Sequence, residues 1–162
     1  MTATVRKLIQ AGSILPPLDL TGGDGSRAAL IPSSQALLLV FAHPGPCSRC
    51  ASYLDEISGA VDDLRSWGTR PIGVLPDGED PAPGPFPVLR DEGDEGRRRL
   101  GIGADEAAVL LTDRWGEVFE VAAYGRDHDL PLPRQLIESA KIVDLTCGEC
   151  NVPGPEWRET PT

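Results

Sequence analysis

The sequence predicts an α/β domain with a mixed central sheet, helices on both faces and an N-terminal β-hairpin extension. Three observations carry that expectation. Residues 35–42 are apolar at nearly every successive position, as in a strand covered on both sides. Residues 48–67 place Tyr53, Leu54, Ile57, Val61 and Leu64 at helical spacing. Beyond them, short strand-like and helical segments alternate and end in a β-hairpin and a helix, the order of helices packed on a sheet.

Taken in order, residues 1–11 are polar, lack a period and are expected to be flexible. Residues 12–20 read as extended, because Pro16 and Pro17 each disfavour helix in the residue before them. The glycine-rich stretch 21–26 is a turn, and 27–31 returns as a strand. After the strand at 35–42 and the helix at 48–67, which Gly68 stops, residues 70–75 read as a second apolar strand. The proline- and acid-rich stretch 76–87 is a surface loop. A short strand over 87–91, a polar helix over 92–100 and a glycine turn at 101–103 follow. Residues 107–112 and 117–123 form the hairpin, turned by Asp113-Arg114-Trp115-Gly116. The last helix spans 133–145, with Leu136, Ile137, Ala140, Ile142 and Val143 as its apolar positions. The domain is therefore placed at 12–145, with 146–162 as a C-terminal tail.

The 162 residues suit one domain with its own core, and 40% apolar with 25% charged residues is an ordinary globular composition. A net charge of −10 repels a phosphate backbone, so no nucleic-acid partner is expected. No apolar run approaches the roughly 20 residues that span a bilayer, so no membrane partner is expected either. Arg6 and Lys7 are not followed by an apolar segment, which argues against an export signal and for the cytoplasm. The 4 cysteines fall as two Cys-x-x-Cys pairs, Cys47/Cys50 and Cys147/Cys150. In a reducing compartment that pattern points to redox chemistry or metal rather than structural bridges.

Cys47 and Cys50 follow an apolar strand and the elbow His43-Pro44-Gly45-Pro46, where the helix begins. Amide donors and the positive end of a helix dipole stabilise a thiolate at such a place. Arg49, between the two sulfurs in sequence, adds a cation, and His43 is a candidate acid/base or tuner of the thiols. The plainer alternatives are a solvated helix-face arginine and a partly exposed loop histidine. On general thiol chemistry Cys47, nearest the helix end, attacks and Cys50 resolves the mixed disulfide. Cys147/Cys150 is either a second, auxiliary dithiol relaying electrons to the first or one half of a Cys₄ zinc site. The zinc reading makes the protein non-catalytic; the redox reading needs no cofactor. Arg97-Arg98-Arg99 reads as a solvated helix face, with a partner-docking patch as the other reading, and His128 and Asp113 as loop and turn residues.

Residues 12–145 resemble the thioredoxin fold, specifically the redoxin branch of the peroxiredoxins (AhpC/TSA-like) and the TlpA/ResA-like thiol oxidoreductases. The segment 12–20 resembles that branch's N-terminal A-P-x-F-x-L addition. Phe86-Pro87-Val88-Leu89-Arg90-Asp91, leading into Leu100-Gly101-Ile102, resembles its F-P-x-L-x-D…Y-G-V stretch. The run from Val109 to Val118 resembles its F-x-I-D-x-x-G-x-V hairpin. The resemblance implies a thioredoxin-like fold and an antioxidant reductase acting on a disulfide or peroxide substrate, re-reduced by a thioredoxin-type or other thiol electron donor. The peroxiredoxin P-x-x-x-T-x-x-C motif falls with Cys50 at its cysteine, Cys47 at its Thr and His43 at its Pro. That alignment implies Cys50 as the oxidisable thiol and Cys47 as its resolver, the reverse of the assignment above. The chain departs from the pattern where the arginine that polarises peroxide is expected, because Ala107 and Ala108 stand there. The cis-proline of thioredoxin-like oxidoreductases is also missing from that slot, and Pro46 replaces the tryptophan that often precedes their cysteine pair.

Overall fold

A computed structural model describes residues 7–30, 35–45, 47–125 and 129–146. Strands β1 (Leu18–Thr21), β2 (Arg27–Leu30) and β3 (Ala36–Phe41) precede helix α1 (Ser48–Ser66). Then come β4 (Thr69–Leu75), β5 (Val88–Arg90), α2 (Glu95–Leu100), β6 (Ala107–Thr112), β7 (Val118–Tyr124) and α3 (Pro133–Leu145). The strands form a 7-stranded sheet in the order β2-β1-β5-β4-β3-β6-β7. β3, β4 and β5 run parallel, β6 pairs antiparallel with β3 and β7, and the hairpin β1–β2 joins the sheet antiparallel to β5. The mixed sheet and the N-terminal hairpin are as the sequence predicts.

β3 occupies the middle and is buried along its whole length. Side chains alternate across a strand, so Ala36, Leu38 and Val40 pack beneath α1 and α3 while Leu37, Leu39 and Phe41 pack on the opposite face with Leu100 of α2. Both layers of the core are therefore pinned to one strand, and its C-terminal end is a fixed point for whatever follows. In α1 the buried positions Cys50, Tyr53, Ile57, Ala60, Val61 and Leu64 recur at three- and four-residue spacing. Gly68, at φ 72, ends the helix with its N–H donating to Arg65 O at 2.9 Å. The Tyr53 hydroxyl donates to Pro131 O at 2.6 Å, tying α1 to the approach to α3.

Three stretches differ in detail from the expectation. The polar helix over 92–100 is split into a 3-10 turn, Glu92–Asp94, and the short α2, with Gly93 at φ 64 and Asp94 at φ 53. The cause is Asp91, whose buried carboxylate accepts the N–H groups of Gly96 at 2.8 Å and Arg97 at 2.9 Å. The helix starts where that carboxylate can cap it. In α3, Leu136, Ala140 and Val143 are buried but Ile142 is 51% exposed. It sits one residue, about 100° of helical rotation, off the stripe that the other three define. Within the N-terminal segment, Leu8 and Ile9 pack against the α2-side core, and the Ile9 N–H donates to Leu100 O at 2.8 Å. Residues 1–6 lie outside the described residues, as do Cys147, Cys150 and His128.

The layering yields a contrast. Leu38→Ala removes a fully buried side chain and is expected to lower the unfolding free energy by about 2–5 kcal/mol. Ile142→Ala should change it by no more than about 0.5 kcal/mol. Urea denaturation measures both, and comparable losses would contradict the placement of α3.

Candidate active site

At Phe41 the chain leaves β3, passes Ala42, whose N–H donates to Val74 O at 3.0 Å, and turns through His43-Pro44-Gly45. Gly45 takes φ 88, a left-handed conformation open to glycine at little cost. The chain re-enters regular structure at Cys47, the N-cap of α1, in an extended conformation at φ −138 and ψ 108. The Cys47 Sγ accepts the Cys50 N–H at 3.3 Å, so a sulfur fills the acceptor role that a serine or aspartate oxygen usually fills at this position. Negative charge on that sulfur faces an amide donor and the positive end of a 19-residue helix.

The two thiols, unbridged in the structure, occupy unlike environments. Cys47 is partly exposed and Cys50 is buried, 7% exposed, among the residues that pack beneath α1. Burial pushes the Cys50 thiol up to about 11 from an ordinary 9.0; the His43 backbone N–H opposes the shift, and Cys47 and Glu79 add to it. One ring nitrogen of His43 and the sulfurs of Cys47 and Cys50 all lie within 4.8 Å of one another. The sequence-derived trio thus meets in space. His43 Nδ1 contacts Pro44 O at 2.9 Å; a carbonyl oxygen only accepts, so Nδ1 carries a hydrogen. Arg49 is exposed on the first turn of α1 and lines a groove of about 330 Å³ with Ser48, Ser52, Tyr53, Glu56 and Leu130. Asp113 does what a turn residue does: its carboxylate accepts from Trp115 N–H at 2.8 Å and Glu117 N–H at 3.0 Å.

The arginine run is the correction. Arg97 is not solvated: it is 3% exposed, and its guanidinium reaches across to the end of β3. Its Nη2 donates to Ala42 O, the residue before His43, and its Nη1 donates to Gly103 O at 3.1 Å and to Glu106 O. Its Nε has no hydrogen-bond partner among the described residues. Burial pulls the Arg97 pKa down from its ordinary value, and the negative charges of Asp94, Asp91, an ionised Cys50 and Glu106 oppose that shift. A cation therefore stands behind the elbow, delivered by α2 rather than by β6, where Ala107 and Ala108 are fully buried. A signal was present in the sequence. Arg97 lies three residues before the apolar Leu100, on the same face of one helical turn.

No family model and no curated protein sequence matches the chain. Solved structures do. A peroxiredoxin-like protein from Aquifex aeolicus superposes with a TM-score of 0.71 at 13% identity, over 86% of this chain and 90% of that one. AhpC of Mycobacterium tuberculosis gives a TM-score of 0.70 at 16% identity, over 89% of this chain and 99% of that one. The fold is thioredoxin-like. A Chlorobium tepidum protein described as a DsbE-type thiol:disulfide interchange protein is similar as well, with a TM-score of 0.61 at 20% identity over 83% of this chain and 99% of that one. The thioredoxin-like fold implied by the sequence motifs is thus borne out.

The inequality of the two thiols is measurable. With the thiol pushed up to about 11, the Cys50 thiolate fraction at pH 7 is on the order of 100-fold below that of a thiol at the ordinary value, so Cys50 should alkylate well over tenfold more slowly than a small free thiol. Equal rates would contradict the geometry. The same shift couples to stability. The folded state holds the Cys50 proton more tightly than the unfolded chain, so the stabilisation is complete below pH 9 and is lost as pH rises through about 11. Across that window the reduced protein should lose on the order of 2 kcal/mol relative to Cys50→Ala, the Tyr53 contribution being common to both. Urea unfolding at stepped pH reads the difference.

Proposed function

We propose that the protein is a thiol–disulfide oxidoreductase in which Cys47 attacks and Cys50 resolves. The carrying observation is the graded pair: a partly exposed sulfur at the helix N-cap facing an amide donor, with a second thiol three residues on that is buried in the core. The Cys47 thiolate attacks one sulfur of a disulfide R–S–S–R, forming Cys47–S–S–R and releasing RS⁻. Cys50 then gives up its proton and attacks the Cys47 sulfur, so the protein ends as the Cys47–Cys50 disulfide and the substrate as two thiols. A thiol held near 11 needs a base at that moment, and His43, within 4.8 Å of both sulfurs, is the group assigned to take the proton. Arg49, lining the groove beside the pair, orients the substrate. A thioredoxin-type or other thiol donor in the cytoplasm returns the pair to its reduced form, with Cys147/Cys150 as the relay.

Peroxide is the weaker substrate class. The thiol that the peroxiredoxin motif would oxidise is Cys50, which is buried and pushed up to about 11, and a thiolate rather than a thiol attacks peroxide. Hydrogen peroxide consumption is expected to be no faster than that of a free thiol, whereas insulin disulfides should be reduced catalytically with dithiothreitol as donor. Cys47→Ser should abolish that reduction. Cys50→Ser should stop the cycle after its first step and leave the substrate attached to Cys47, detectable by intact-mass spectrometry. Attachment to Cys50 in Cys47→Ser, with none to Cys47 in Cys50→Ser, would reverse the assignment.

A further inference from the structure

The trio at the elbow is also a ligand set. We infer that the reduced protein binds one Zn²⁺ through Cys47 Sγ, Cys50 Sγ and a His43 ring nitrogen, with the fourth position open to solvent. Two thiolates and one imidazole are the donors of an open, tetrahedral zinc site. With Zn–S near 2.3 Å and Zn–N near 2.0–2.1 Å, the donor atoms of such a tetrahedron stand about 3.4–3.8 Å apart. Here all three already lie within 4.8 Å of one another, so the required contraction is about 1 Å and falls on side chains at a helix N-terminus and a loop. The histidine is prepared for the task. Its Nδ1–H is held on Pro44 O at 2.9 Å, and a second-shell carbonyl of that kind fixes the tautomer of a metal-bound imidazole. Both His43 and Cys47 are partly exposed, which leaves an approach for the ion and room for a water on it.

The site differs from the Cys₄ alternative that the two cysteine pairs offer, because its third ligand is His43, in the same strand–elbow–helix unit as Cys47 and Cys50. It does not depend on turnover. Metal and disulfide exclude each other at these sulfurs. When a disulfide substrate R–S–S–R meets the loaded site, each cysteine sulfur gives up one electron to form the Cys47–Cys50 bond. The substrate takes both electrons, and two protons from solvent since the metal-bound thiolates carry none, to become two thiols, and zinc leaves as Zn²⁺. Zinc occupancy therefore reports and opposes oxidation of the pair.

The test uses the full chain carrying Cys147→Ser and Cys150→Ser, which removes the tail thiols as competing ligands. The protein is reduced, stripped with a chelator and titrated with ZnCl₂ against a chromophoric zinc indicator. One zinc per chain is expected, and Co²⁺ in its place should show thiolate-to-cobalt charge transfer with tetrahedral ligand-field bands. His43→Ala should weaken binding by at least about tenfold, and His43→Asp, which returns a donor, should recover part of it. The unsubstituted ring gives an independent readout. Of the 2 histidines, the ring nitrogens of His43 should shift in ¹⁵N NMR on zinc addition while those of His128 stay put. Oxidation with diamide should release the metal. Absence of stoichiometric zinc, wild-type affinity in His43→Ala, an unmoved His43 ring or metal retained by the oxidised protein would each overturn the inference.

Discussion

Burial of β3 on both faces is the constraint from which the rest of the molecule follows. A strand with apolar residues at every position can only sit in the middle of a sheet, so β4 and β6 must flank it and helices or a hairpin must cover each side. That arrangement fixes the point at which the chain leaves the sheet. The elbow after Phe41 emerges at the C-terminal end of a strand that cannot shift register, because a slip of one residue would exchange the two core layers. The sulfurs that follow the elbow inherit this fixed starting point.

The same packing makes the two cysteines unequal. Cys47 is the last residue outside α1 and Cys50 is the first apolar position on its buried stripe, so a spacing of three places one sulfur at the rim and the other in the core. Their inequality is a geometric product of the helix start. Shifting that start by a residue would rotate Cys50 out of the core and remove the Cys47 cap together. The proposed exchange, with one nucleophile and one reserve thiol, and the inferred metal site, with both sulfurs beside an imidazole, draw on the same few ångströms of structure.

Much of this was legible in the amino-acid sequence, for physical reasons that differ by element. β3, α1 and the β6–β7 hairpin have strong periodic or two-sided patterns, and burial in the fold agrees with them. The meeting of His43, Cys47 and Cys50 was legible because all three lie within one strand–elbow–helix unit. The break before α2 was not, because a buried aspartate that caps a helix from five and six residues away leaves no local pattern. Arg97 defies its charge: the side chain sits on the apolar face of α2, and a long basic residue can enter a core where carbonyl oxygens meet its head. Ile142 departs in the opposite sense, an apolar residue off the buried stripe.

Arg97 carries one more consequence. Its acceptors are main-chain oxygens, of Ala42 at the end of β3 and of Gly103 and Glu106 in the loop before β6, so two separate stretches of chain contribute them. No side-chain replacement at those three positions deletes an acceptor. The link between the thiol-bearing elbow and α2 is thus written in the sequence at a single letter, with no second letter obliged to change along with it. Comparing sequences for correlated substitutions would find nothing at this joint, although it spans the molecule from residue 42 to residue 106. A contact of this kind is visible only in three dimensions.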